Sequence, residues 1–340
     1  MLFTTLLQLR QPVFTIVIYN GIDLERRKDK VMKKIFAVIL AITLLTGVFA
    51  FAACQPNDTI VVVGREASSG TREAFDKVVA KDGVTLESFS EEANPNGDAE
   101  GGYKEGALYF TGTSGVASKV ATSKNAIGYI SLGSVDDTIK ALSVNGVAPS
   151  AETVISGEYS IQRPFVIMTN KTTTLTAVTA DFLNFLKSST AQEIVTEEKA
   201  VSLTDETQRN APVTEYSPLT TAPEGDLTIK VRGSTSMADL MDALVGKYIE
   251  LNPWMKQSNF QIDLQGSSTG RSAVDADTVG NVIGMASSAE KSDTPRNYFN
   301  IALDAVAVIV NKDSTLTNIT LEQLFDIYTG AITKYSELVG

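Results

Sequence analysis

The stretch Val61–Phe75, VVVGREASSGTREAF, decides how the rest of the chain is read. Three valines lead to Gly64, where the apolar run stops, and Arg65 follows at once. Ser68, Ser69, Gly70 and Thr71 come next, and then residues with helical spacing. This is a buried strand, a tight polar turn and a helix start. A helix start offers unpaired backbone N–H groups and a partial positive charge, so it receives anions. Glycine lets the backbone approach closely, hydroxyls add donors, and an arginine adds a full charge with two-point geometry.

The same pattern recurs along the chain. LTIKVRGSTSMADLMDALVGKYIEL, residues 227–251, alternates as a strand through Leu227, Ile229 and Val231. Met237, Leu240, Met241, Leu244, Val245 and Tyr248 then recur at helical spacing, with Ser236 and Asp239 as the expected cap pair. IDLQGSSTGRSAV, residues 262–274, is a third example, and LYFTGTSGVASKVA, residues 108–121, a weaker fourth. Residues 302–310 read as an apolar strand interrupted by Asp304. Thr320 and Gln323 have capping-box form before a helix that runs towards Gly330, and residues 175–198 are rich in helix formers. Strands alternating with helices predict an α/β protein with largely parallel sheets covered by helices. Residues 204–226 are polar, contain three prolines and read as a linker.

Composition narrows the chemistry. The 340 residues are 43% hydrophobic and 20% charged, ordinary for a globular chain long enough for two lobes. There is no histidine, which removes the usual general base and the commonest zinc ligand. The single cysteine, Cys54, permits no intrachain disulfide. No cofactor or metal is expected. Residues 1–53 hold 7 basic and 3 acidic side chains; the remainder holds 22 basic and 37 acidic, a net of −15. That argues against nucleic acid as a partner.

The front of the chain is read separately. Met32-Lys33-Lys34 is a basic start, residues 35–53 are apolar and uncharged, and Phe51-Ala52-Ala53 precede Cys54. This is the layout of a secretory signal over residues 32–53. It resembles a bacterial lipobox, which implies lipidation of Cys54 and a protein held on the outer face of the cell membrane. A membrane anchor or a plain cleaved signal are the other readings. Residues 1–31 fit neither signal nor domain, and Glu25-Arg26-Arg27-Lys28 is what a ribosome-binding sequence encodes, so translation is expected to start at Met32.

A serine or threonine turn caps helices in proteins of every kind, so each turn alone is ambiguous. Together, GREASSGTREAF, GSTSMADLM, QGSSTG, IGMASS, NAIGYISLGSVD, ALDAVAVIVN and ITLEQLFDIYTGAIT resemble the PstS-like phosphate-binding proteins of bacterial ABC phosphate importers. The resemblance implies a two-lobed type II periplasmic-binding fold with inorganic phosphate buried between the lobes. It also implies a monomer that delivers phosphate to ABC transporter permease subunits. The segment order departs from the family: the part like residues 227–340 ordinarily precedes the part like residues 59–203. The chain thus resembles a circular permutant, or else a shuffled gene. On the permuted reading, one lobe is 54–135 plus 311–340 and the other is 136–310. Hinges fall near Ser131–Asp137 and Val310–Asp313.

The family's ligand contacts fall on Thr235, Ser236 and Ser267 from one lobe and on Arg65, Ser69, Gly70 and Thr71 from the other. Ser287 stands where some members carry an aspartate that accepts the proton of phosphate and repels sulfate. Asp304 is the expected replacement acceptor, the alternative being a strand carboxylate with a structural role. Another tetrahedral oxyanion (sulfate, molybdate or tungstate), a surface phosphate sensor and a non-transporting paralogue remain open. An enzyme is disfavoured. Residues 64–71 lack phosphate-loop spacing and its lysine, Gly112–Gly115 has no histidine to complete a triad, and Ser288-x-x-Lys291 lacks its partner motifs.

Overall fold

A computed structural model of the chain describes residues 58–94, 101–203 and 205–338. The leader and Cys54 lie outside the described residues, so the lipidation site and the start at Met32 do too. Among the described residues no helix is long and apolar enough to cross a membrane.

Strand β1 (Val61–Arg65) runs into helix α1 (Gly70–Val78), and α2 (Leu86–Ala93) follows. Next come β2 (Leu108–Phe110), α3 (Thr113–Thr122), β3 (Ala126–Ser131) and β4 (Ile139–Ala141). The chain continues through β5 (Gln162–Asn170), α4 (Ala177–Leu186), α5 (Ser189–Glu197) and β6 (Val201–Ser202). It then forms β7 (Ile229–Gly233), α6 (Ala238–Leu251), β8 (Phe260–Asp263), α7 (Ser267–Asp275) and β9 (Val282–Ala286). The long strand β10 (Arg296–Asn311) and helix α8 (Leu321–Thr329) end the series.

The strands form one mixed sheet in the order β8-β7-β9-β5-β10-β3-β1-β2, with β4 and β6 also pairing with β10. β1 is parallel to β2 and β3, and β7 is parallel to β8 and β9. The pairs along β10, and β5 with β9, are antiparallel. Helices cover both faces, which is why the strands read as unbroken apolar runs. In β1, Val62 enters one core with Phe75, Tyr129 and Tyr328, while Val63 enters another with Val116 and Val120. Adjacent strand residues point to opposite faces, so one strand serves both layers. The second half of the sheet repeats this: Ile167 packs with Phe182 and Met241, and Met168 with Val274.

β10 joins the two halves. Its first part pairs with β5 through Ala305↔Gln162, and its second part pairs with β3 from Val306↔Ser131 onward. The packing sets the border later than the sequence reading did. Leu142, Val144, Val154, Tyr159, Ile161, Val306, Val308 and Val310 all sit in the core that holds Phe75 and Tyr129. Residues 139–161 and the end of β10 therefore belong with the first lobe, because β4 pairs with β10 there. The chain passes from one core to the other between Ile161 and Phe165 and again between Ala302 and Ala305, and Val201 alone returns to the first core in between. The hinge positions expected at 131–137 and 310–313 correspondingly lie within first-lobe structure.

Thr320 and Gln323 form the expected capping box on α8, and Gly330 closes the helix in left-handed geometry. Residues 175–198 form two helices, since Ser188 caps a second start and breaks the run. Among the described residues of the 204–226 linker, Glu206–Arg209 form a single helical turn and no other helix or strand is present. The ends of the described domain lie together: Ile60 N–H donates to Thr333 O at 2.8 Å and Tyr335 N–H to Asp58 O at 2.8 Å.

Candidate oxyanion site

Four strand-to-helix turns meet where the two halves face each other. From the first lobe, Ser69 caps α1 and accepts from the Thr71 and Arg72 amides. Gly112, at φ +90°, starts α3 and brings Thr113 to the same place. From the second lobe, Ser234 caps the short turn Thr235–Met237 by accepting from the Ser236 amide, and Gly266, at φ +109°, starts α7 at Ser267. Both glycines hold left-handed backbone that a side chain would strain. The Ser236–Asp239 cap pair is not formed. Ser234, two residues earlier, takes the capping role and leaves the Ser236 hydroxyl free to face α1.

Arg65 is the centre of the cluster and is only 1% exposed. Its Nη1 donates to Thr71 Oγ1 at 3.3 Å and Thr113 Oγ1 at 3.4 Å, and its Nη2 reaches across to Thr235 Oγ1 at 3.0 Å. Thr71 Oγ1 and Ser236 Oγ lie 2.9 Å apart, again across the lobes. On the second-lobe wall, Ser234 Oγ donates to Ser287 Oγ at 2.9 Å, and the Ser287 amide donates to Ser267 Oγ at 3.0 Å. Gly70 lies against this wall: a Cβ there would fall 2.6 Å from Ser267 Oγ and 2.8 Å from Ser287 Oγ. A cleft of about 830 Å³ opens beside the cluster, with Thr113, Thr235, Ser114, Gln265, Asp136 and Asp239 in its lining.

The expected residues Arg65, Ser69, Gly70, Thr71, Thr235, Ser236, Ser267 and Ser287 are thus brought together. Asp304 is placed differently. It is 2% exposed, and its Oδ2 accepts from Arg163 Nε at 3.1 Å and Nη2 at 3.0 Å, while Oδ1 accepts from Ser131 Oγ at 2.8 Å. Asp304 and Arg163 are direct cross-strand neighbours where β5 and β10 pass between the cores. Burial pushes the Asp304 carboxyl up, and Arg163 and Ser131 oppose that. Burial lowers Arg163, and the nearby positive charge of Arg65 adds to it. Arg163 also donates to Ser287 O at 3.3 Å, which ties the crossover to the site wall.

Four participants escaped the sequence reading. Glu66 grips Arg65 at two points, Nε to Oε2 and Nη2 to Oε1, each 2.8 Å, and accepts the Gly112 amide at 3.3 Å. Its Oε1 lies 3.4 Å from where a Cβ on Gly266 would stand, so it reaches the start of α7 in the other lobe. Thr113 lay inside the weak fourth turn. Ser234 was hidden by the stronger-looking Ser236, and Arg163 has no local pattern to mark it.

The chain as a whole is similar to known proteins. The chain matches the model of the PBP superfamily domain over residues 23–190 and 218–340. It is 34% identical over 284 residues to the phosphate-binding protein PstS 2 of Streptococcus pneumoniae serotype 4, covering 83% of this chain and 88% of that one. It is 30% identical over 311 residues to phosphate-binding protein PstS 2 of Streptococcus agalactiae serotype V, covering 88% and 97%. The crystal structure of a phosphate ABC transporter phosphate-binding protein from Streptococcus pneumoniae superposes with a TM-score of 0.57 at 33% identity, covering 82% of this chain and 99% of that one. The chain belongs to the PstS-like family of phosphate-binding proteins.

Proposed function

We propose that the protein captures inorganic phosphate between its lobes and delivers it to an ABC permease. The observation that carries this is the buried Arg65, ringed by hydroxyls from both lobes at three helix starts. Such a set offers a tetrahedral oxyanion one fixed charge, several neutral donors and aligned backbone N–H groups where the lobes meet. The chain acts as a binding protein rather than an enzyme, since no nucleophile–base pair accompanies these donors.

In the closed form the hydroxyls bond to one another across the cleft. Capture therefore begins with parting of the lobes, which breaks the Arg65–Thr235 and Thr71–Ser236 contacts. The anion then takes those donors, and closure seals it from water. The crossings at Arg163 and Asp304 are where the backbone must flex, and their ion pair holds the two crossing strands in register. Asp304 has both oxygens committed there, so Glu66 is the better acceptor for the phosphate proton. It is buried, faces the start of α7, and keeps lone pairs beyond those given to Arg65 and Gly112. A site built to accept that proton rejects sulfate, which brings none.

The exported, lipid-anchored state through Cys54 belongs to the same proposal, as does the permuted order. The adjacency of residues 58–60 and 333–336 suits a loop cut open there. A match over 284 residues, most of both chains, is what segments in the same order produce, and it weighs against a gene shuffled in this chain alone.

Calorimetric titration of refolded, ligand-stripped protein tests the function. Tight phosphate binding with far weaker sulfate binding is expected. Equal affinity for both would replace phosphate with a general oxyanion, and no binding by folded protein would retire the proposal.

A further inference from the structure

The second lobe contains a buried cation that the phosphate cleft does not use. Arg209 ends the single helical turn of the linker and is 0% exposed. Its Nη2 donates to Leu186 O at 3.3 Å, but Nε and Nη1 have no hydrogen-bond partner. Its Cζ lies 5.5 Å from the ring centre of Phe299, and the half-buried Lys187 places Nζ 5.6 Å from the same ring. Neither cation meets a carboxylate within ion-pair distance among the described residues. Burial lowers the Lys187 ammonium, and the neighbouring Arg209 lowers it further. A cavity of about 70 Å³ is lined by Lys187, Asn210, Phe299, Tyr298 and Thr169, and Arg209 lies outside that lining.

Two cations on one phenyl ring, without an anion, repel each other in a medium that screens poorly. A guanidinium is not relieved by losing its proton, because it stays charged at any physiological pH. The ring face compensates only in part. The cavity exceeds the roughly 10–15 Å³ that one water requires, and suits a single small tetrahedral ion. Hydrogen bonds from Asn210 Nδ2 to Tyr298 O at 3.1 Å and from Asn300 Nδ2 to Gln208 O at 2.7 Å fix the linker against β10, so the site is held by the fold.

We propose that Lys187 and this cavity form a second anion site, one that takes a small oxyanion and is separate from the Arg65 cleft, with the uncompensated charge of Arg209 on the same Phe299 ring adding to its attraction. Occupancy would pin the linker turn to the second lobe. The test measures the melting temperature of the full chain against inorganic phosphate at constant ionic strength, with sulfate and chloride series alongside. In Arg65→Ala protein, whose cleft is disabled, phosphate and sulfate should each raise the melting temperature by several degrees and chloride should not. Adding Lys187→Gln should abolish the rise, while Lys187→Gln alone should leave cleft affinity within twofold. If Arg65→Ala does not fold, the wild type and Lys187→Gln are compared at phosphate far above cleft saturation. There both proteins gain through the cleft, and the wild type should gain more per decade of phosphate than Lys187→Gln. Equal gains with and without Lys187, or no gain in either, would overturn the proposal. So would an Arg209→Met protein that keeps the full oxyanion response.

Discussion

Replacing Arg65 with alanine probes the cleft at its centre. The side chain is buried, and it donates to Glu66 twice and to Thr71, Thr113 and Thr235 once each. Two losses follow. The bound anion loses its only fixed positive partner at the α1 turn, which costs roughly 2–5 kcal/mol of binding by comparison with buried charge pairs. That is a rise in Kd of about 30- to 5,000-fold. The Glu66 carboxylate also loses its partner, and breaking a buried pair costs roughly 3–5 kcal/mol. Part of that falls on folding rather than on binding, so urea unfolding is measured beside calorimetry. Arg65→Lys separates the contributions: it keeps the charge and loses the two-point fork, so stability should recover more than affinity does. Arg65→Ala protein that stays folded and binds phosphate within threefold of wild type would refute the role given to Arg65.

Gly70→Ala places a methyl 2.6 Å from Ser267 Oγ, so the lobes cannot meet as they do here and phosphate Kd should rise at least about tenfold by calorimetry. Glu66→Gln should narrow the preference for phosphate over sulfate in competition titrations; an unchanged ratio would remove Glu66 as the proton acceptor. Asp304→Asn leaves the buried Arg163 without its carboxylate and should destabilise by roughly 3–5 kcal/mol in urea. Glu73 accepts from Lys77 Nζ at 2.6 Å; burial works to raise its pKa, but the hydrogen bonds of Lys77 and Ser288 hold it below its ordinary value. That stabilisation is present above the unfolded pKa and is lost as pH falls through the folded one. Wild type and Glu73→Gln should therefore differ by under about 1 kcal/mol near pH 7 and converge in acid.

Much of this was legible in the sequence because its causes are local. The 61–75 stretch declares a strand, a cap and a helix through its own residue order, and Ser69 caps α1. Thr320, Gln323 and Gly330 mark both ends of α8 in the same way. What stayed hidden depends on pairing between distant strands. Asp304 looks like a free acid in an apolar run until β5 brings Arg163 opposite it, 141 residues away in sequence. The border between the cores was misplaced because β4 and residues 142–161 carry no mark of the lobe they join, and only their pairing with β10 assigns them. Glu66 was visible as a neighbour of Arg65, yet an adjacent pair of opposite charges is ordinary on a surface. Its burial and its reach towards α7 come from the packing of the lobes.

A crystal structure of the protein grown with phosphate decides whether Arg65 and the helix starts hold the anion. One phosphate is expected between the lobes, within hydrogen-bond distance of Arg65, the start of α1, Thr235 or Ser236, and Ser267, with a phosphate oxygen facing Glu66. A phosphate held elsewhere, or a cleft in which Arg65 keeps only Glu66 and the threonines at saturating phosphate, would contradict it.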